Sequence, residues 1–136
     1  MVHEWALAEA IIKYVEAISK EHKAKKVAKL VLRLGVLQSI DKDILKFSLY
    51  ELAKLKGIVI DELVFEDEEV SLRCRSCGYR WPFNINTLSE DVREALHFIP
   101  EVIHSYIKCP RCGSRDFEVV SGRGVTIKEV VLSGGS

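Results

Sequence analysis

Apolar residues recur at three- and four-residue spacing over residues 4–20, where Leu7, Ile11, Val15 and Ile18 draw one stripe down a helix. Over residues 27–34 the period shortens to two. Leu30, Leu32 and Leu34 then fall on one face and Lys29, Val31 and Arg33 on the other, which predicts a strand ending near Gly35. Asp41 stands where an N-cap is needed for a second helix, whose apolar face is Ile44, Leu45, Phe47, Leu49, Leu52 and Leu55 and whose stop is Gly57. This helix is expected to pack on the sheet. β-Branched residues predict two further strands, over residues 58–65 and 124–132. The acidic residues 66–69 read as a solvated linker, and the tail 133–136 has nothing to pack and is expected to fray.

The region between the second and third strands carries the strongest chemical signal. All four cysteines fall in two matching segments, Cys74-Arg75-Ser76-Cys77-Gly78 and Cys109-Pro110-Arg111-Cys112-Gly113. Two residues between thiolates let a tight turn aim both sulfurs at one point, and the following glycine can take the positive φ that close approach requires. Two such turns make a tetrahedral four-thiolate site, which suits zinc, with iron as the chemical rival. A closed site leaves no position for water, so the metal is expected to be structural and to replace a core that so short a segment cannot build alone. The fold class expected is α+β: two helices on a small three-stranded sheet, with an inserted zinc-ribbon-like domain carrying the two Cys-x-x-Cys knuckles. The expected boundaries are 1–66 and 121–136 for the α+β domain and 67–120 for the zinc-binding insertion.

Composition narrows the setting. The chain has 136 residues, 48% of them hydrophobic, enough for one modest core and a small metal-stapled appendage. No apolar run approaches the roughly 20 residues of a bilayer span, and the N-terminus lacks the layout of a signal peptide, so the cytoplasm is expected and a membrane is not. The 20 basic and 20 acidic side chains balance, which exerts no general pull on nucleic acid. Abundant Lys and Glu beside a single Gln lean toward a hot environment, where intracellular disulfides occur and form the alternative for these cysteines.

Met1-Val2-His3-Glu4 invites a second metal. An imidazole close to a free α-amine can close chelate rings through deprotonated backbone amides, and square-planar nitrogen coordination selects Ni(II) or Cu(II) over zinc or magnesium. With Met1 retained, the donors are its amine, the Val2 and His3 amides and the His3 ring. With Met1 removed, they become the Val2 amine, the His3 amide and ring and the Glu4 amide, with the Glu4 carboxylate nearby.

A His-Glu start on the first helix, two later Cys-x-x-Cys knuckles and residues 32–47, read as strand, turn and second helix, together resemble the HypA family of nickel-insertion metallochaperones, in an archaeal, thermophile-like form. The resemblance implies a nickel-binding α+β domain, a structural zinc domain, and no enzymatic activity of the chain's own. It also implies work with a HypB-type GTPase in delivering nickel to the large subunit of [NiFe] hydrogenase. On matching positions, His3 and Glu4 take the nickel role and Cys74, Cys77, Cys109 and Cys112 the zinc role. Val2 departs from the family's usual start by displacing the histidine from second position, and the spacer between the cysteine pairs is long.

That spacer holds His97 and His104, with Pro100 breaking any continuous helix between them. The ordinary reading of each is a packed or surface imidazole, and His97 is kept as a candidate extra nickel ligand. The rival function is a zinc-ribbon nucleic-acid-binding or protein adaptor module using Arg73, Arg75, Arg80, Arg111 and Arg115. Against it, residues 70–120 carry seven basic and six acidic side chains, far from a basic footprint. No nucleophile triad or phosphate-cradling loop supports an enzyme.

Overall fold

The computed structural model describes residues 2–134, with the backbone alone for Val2. Met1, Gly135 and Ser136 lie outside the described residues, and with them the proposed Met1 amine ligand and the last two positions of the tail 133–136 that was expected to fray. Ser133 of that tail instead ends a strand, and its carbonyl accepts the Lys25 amide at 3.0 Å. In chain order the elements are α1 (Val2–Glu21), β1 (Lys26–Gly35), α2 (Lys42–Leu55), β2 (Ile60–Glu68), β3 (Val70–Cys74), β4 (Arg80–Phe83), α3 (Glu90–Phe98), α4 (Ile103–Tyr106), β5 (Phe117–Ser121) and β6 (Val125–Ser133). They form two compact units. The first takes residues up to 33, 40–66 and from 125 on; the second takes 34–39 and 67–124.

In the first unit β1 is the central strand of a three-stranded sheet ordered β2-β1-β6, and α1 packs along α2 and touches β6. The buried face of α1 is Glu4, Ala8, Ile11, Ile12 and Val15, a helical stripe with one carboxylate at its N-terminal end. Leu30, Leu32 and Leu34 are buried as their alternation predicts, but so is Val31 on the opposite face. Arg33, on the same face as Val31, lies 3.8 Å from Glu66, which in turn pairs with Lys128 at 2.8 Å. The acidic stretch is therefore not a linker: Glu66 and Glu68 are strand residues of β2, and Glu68 accepts the Gly122 amide.

Helix α2 starts as expected, the Asp41 side chain accepting the Ile44 amide at 3.0 Å. Its buried residues are Leu45, Ser48, Leu49 and Ala53, whereas Phe47 is 59% and Leu55 80% exposed. The buried stripe is narrower than the apolar content suggested, and Ser48 is accommodated in it because its hydroxyl donates to the Ile44 carbonyl at 2.7 Å.

The second unit has its own antiparallel sheet, ordered β4-β3-β5, with Leu72 opposite Trp81 on one side and Val119 on the other. Its core joins Leu37, Val70, Leu72, Trp81, Ile85, Leu96, Ile103 and Phe117 to the buried Cys74 and Cys109. The spacer between the cysteine pairs is long because it contains β4 and the helices α3 and α4, which contribute Leu96 and Ile103 to this core. Residues 36–38 form a 3-10 turn against which α3 packs, and Leu37 enters the same core.

Candidate metal centre

Each knuckle is the same local structure written twice. Cys74 ends β3, its amide donates to the Tyr79 carbonyl at 2.8 Å, and its carbonyl accepts the Gly78 amide at 2.9 Å. Cys109 repeats both bonds with Ser114 and Gly113 at the same distances. Gly78 and Gly113 share φ +79°, the left-handed turn that the spacing demanded. In each pair the first cysteine is buried and the second exposed.

The two turns converge. All four sulfurs lie within 4.8 Å of one another, with Cys74–Cys112 at 3.5 Å and Cys77–Cys109 at 3.7 Å. These separations are far beyond a disulfide bond, and all four cysteines are free. A tetrahedron of thiolates about 2.3 Å from a central ion places its sulfurs roughly 3.8 Å apart, so the donor set fits a four-coordinate ion such as zinc. Contacts between the turns hold the arrangement: Ser76 Oγ meets Ser114 Oγ at 3.1 Å, and Arg75 pairs with Asp116 at 3.1 Å. Neither contact was singled out from the sequence, although Ser76 lies inside the first knuckle and Ser114 directly follows the glycine of the second.

The thiols are unequal without metal. Hydrogen bonding from the Cys77 amide, against the effect of burial and with help from Cys112, lowers Cys74 to about 6. For Cys109 burial acts upward, but the Cys112 and Arg111 amides outweigh it and the thiol is lowered. Cys112 is lowered by the Ser114 amide yet pushed up to about 12 overall by the neighbouring cysteine sulfurs and burial. Crowded sulfurs that cannot all ionise are the arrangement a cation relieves.

The N-terminal residues belong to the first unit. His3 is exposed on the first turn of α1, while Glu4 is 1% exposed and its Oε2 accepts the Asp41 amide at 3.0 Å. Burial would raise the Glu4 carboxyl, but hydrogen bonding led by the Asp41 amide outweighs it and the pKa is lowered. His97 is in the second unit, where Nδ1–H donates to the Gln38 carbonyl at 2.5 Å. His104 Nδ1–H donates to the Arg115 carbonyl at 2.9 Å, with its ring 4.3 Å from that of Phe117. Three of the arginines offered for nucleic acid are already engaged: Arg73 with Glu118, Arg75 with Asp116 and Glu118, and Arg115 with the His104 and Ile107 carbonyls.

An α+β unit joined to a unit with four converging cysteines defines a protein equipped to bind a metal ion. The family described as hydrogenase/urease nickel incorporation, metallochaperone, hypA matches residues 2–132, and the chain belongs to it. The hydrogenase maturation factor HypA of Pyrococcus horikoshii is 47% identical over 135 residues, covering 96% of both chains. That of Pyrococcus furiosus is 43% identical over the same length, and that of Aquifex aeolicus 26%. The fold is also that of the Ni metallochaperone HypA from Helicobacter pylori, whose solution structure matches with a TM-score of 0.64 at 19% identity, over 96% of this chain and 97% of that one. Among the described residues no helix is long and apolar enough to cross a membrane.

Proposed function

We propose that this chain binds one Ni(II) at its N-terminus and hands it, with a HypB-type GTPase, to the large subunit of a [NiFe] hydrogenase under assembly. The observation that carries the proposal is the pairing of an exposed His3 with a buried Glu4 fixed to the Asp41 amide. The anchor holds the first turn of α1 while the imidazole remains accessible. The first four N–H groups of a helix have no acceptor within it, so first-turn amides can turn to a metal without loss of a helical hydrogen bond: those of Val2 and His3 with Met1 retained, or of His3 and Glu4 with Met1 removed. Backbone and imidazole nitrogens then form the plane that Ni(II) prefers, with the amine of Met1 or Val2 as the fourth donor.

In this reading Cys74, Cys77, Cys109 and Cys112 hold structural zinc, which supplies the second unit with a rigid crosslink. The nickel-binding role is assigned to the first unit and the zinc role to the second, a division that follows the expected 1–66 with 121–136 and 67–120 except that residues 34–39 and 121–124 go with the second unit, and the protein works in the cytoplasm. His97 is retained as an additional nickel ligand, because a ring N–H held by a backbone carbonyl is the usual support behind a metal-binding imidazole. Unchanged nickel affinity in His97→Ala, with and without the GTPase, would remove it from the set.

The test is a Ni(II) titration of protein with its natural N-terminus, of known mass, followed by the visible absorption of a square-planar complex. One nickel per chain beside one retained zinc, lost in His3→Ala, is expected. Nickel binding that ignores His3 would reduce the protein to a zinc-stapled adaptor.

A further inference from the structure

Within the first unit, the C-terminal ends of α1 and α2 and the start of β1 border an open cavity of about 360 Å³, lined by Ser19, Lys20, Lys23, Lys25, Lys26 and Lys56. Glu16 also borders it and faces Lys20 at 3.8 Å, while Lys26 pairs with Asp61 at 2.8 Å. Lys23, Lys25 and Lys56 have no ion-pair partner among the described residues. Two helix C-termini contribute about half a negative charge each, so five ammonium groups against Glu16 and Asp61 leave roughly two positive charges over the cavity. Capping the helix ends does not require that many.

Two further features point to a ligand. The Ser19 hydroxyl oxygen is buried and has no hydrogen-bond partner among the described residues. Lys23 sits at φ +53°, closing α1 through Lys23 N–H to the Lys20 carbonyl and Ala24 N–H to the Ser19 carbonyl. The turn after α2 uses Gly57 at φ +71°. A side chain is strained in that conformation, yet α1 places a lysine there, and that lysine lines the cavity.

We propose that this cavity is a binding site for a condensed phosphate, either free or as the phosphate chain of a nucleotide. Lysine ammoniums are compact point charges with rotatable donors and suit phosphate oxygens from several directions. No arginine lines the cavity, so it lacks the guanidinium fork that grips a carboxylate or phosphate bidentately and offers point charges instead, the way a lysine binds phosphate. The Ser19 hydroxyl would supply a neutral donor beside the ammoniums.

The test uses nickel-free, zinc-loaded full chain at low salt, titrated with inorganic pyrophosphate while backbone amide resonances are followed. Saturable shifts are expected at Ser19, Lys23, Lys25, Lys56 and Gly57. Affinity should fall at least about tenfold in Lys25→Glu/Lys56→Glu, a change that the equally charged control Lys13→Glu/Lys46→Glu should not produce. ADP binding more tightly than pyrophosphate would support the site as nucleotide-binding, and equal affinities would support free condensed phosphate. No saturable shift through the millimolar range, an equal loss in the control, or tighter binding of a glutamate-rich peptide at the same amides would overturn the proposal.

Discussion

Glu4 and Asp41, 37 positions apart, meet through one hydrogen bond in which the Asp41 amide donates to Glu4 Oε2 at 3.0 Å. Asp41 is also the N-cap of α2, its side chain accepting the Ile44 amide. One residue therefore ties the first turn of α1 to the first turn of α2, next to the proposed nickel terminus.

This contact is expected to matter without any metal. Glu4→Ala should lower the stability of nickel-free protein by about 1.5–3 kcal/mol, the range for a hydrogen bond to a buried charged group, whereas Glu4→Gln keeps an accepting oxygen and should recover most of it. Urea denaturation of the three proteins checks this. Equal stabilities would show the contact to be energetically idle and return Glu4 to the role of ligand alone.

The four cysteines should act as one unit. Cys109→Ser removes a buried thiolate from the cluster, and is expected to abolish stoichiometric zinc and loosen the second unit, since folding and metal binding are one equilibrium in such sites. Metal analysis and near-ultraviolet circular dichroism of Trp81, which packs on Phe117, report both effects. A full zinc complement in the variant would mean that the cluster is not the site.

Gly35 and Gly57 offer a contrast between two reasons for glycine. A Cβ on Gly35 would lie 2.3 Å from the Gly122 backbone, so Gly35→Ala should cost at least about 2 kcal/mol through forced backbone displacement. Gly57 has a positive φ and open space, so Gly57→Ala should cost only about 1 kcal/mol. Thermal denaturation ranks them, and the reverse order would contradict the packing argument.

Glu66 supplies a pH signature. Its pKa is lowered, chiefly by the hydrogen bond from Lys128, with Arg33 and Lys29 adding positive charge. A carboxylate with a depressed folded pKa stabilises the fold above its unfolded value, and that contribution is lost as pH falls through the folded value. The stability difference between wild type and Glu66→Gln should therefore hold steady from neutrality to the ordinary value of 4.5 and shrink below it. It should also diminish in high salt, because the group is partly exposed. A difference that grows on acidification would reverse the sign of this argument.

The helix period of α1 and the strand period of β1 were legible because one face of each is buried: Ile11 and Val15 on α1 and Leu30, Leu32 and Leu34 on β1 are buried as their spacing requires, whereas the other face of β1 mixes a buried Val31 with a partly exposed Arg33 and gave no clean polar signal. Phe47 and Leu55 were misread as core because hydrophobicity alone does not say which side of α2 faces a neighbour. The strand role of Glu66 and Glu68 was hidden for a related reason. Their charges are satisfied by Lys128 and by the Gly122 amide, partners far away in sequence. In the spacer, the short elements β4, α3 and α4 leave too few periods for a pattern to show.

What the sequence determined by itself was local chemistry. Two residues between cysteines, with a glycine after each pair, dictate a turn whose geometry depends on nothing distant, and the same holds for the Asp41 cap. Tertiary structure decided whatever depends on which distant groups meet: the convergence of one knuckle on the other, the entry of Leu37 into the second core, the bond from Asp41 to Glu4, and the lysine-lined cavity at two helix ends. A turn is set by the dihedral preferences of four or five consecutive residues. A meeting between distant segments is set by the packing of the whole chain, which short-range patterns do not encode.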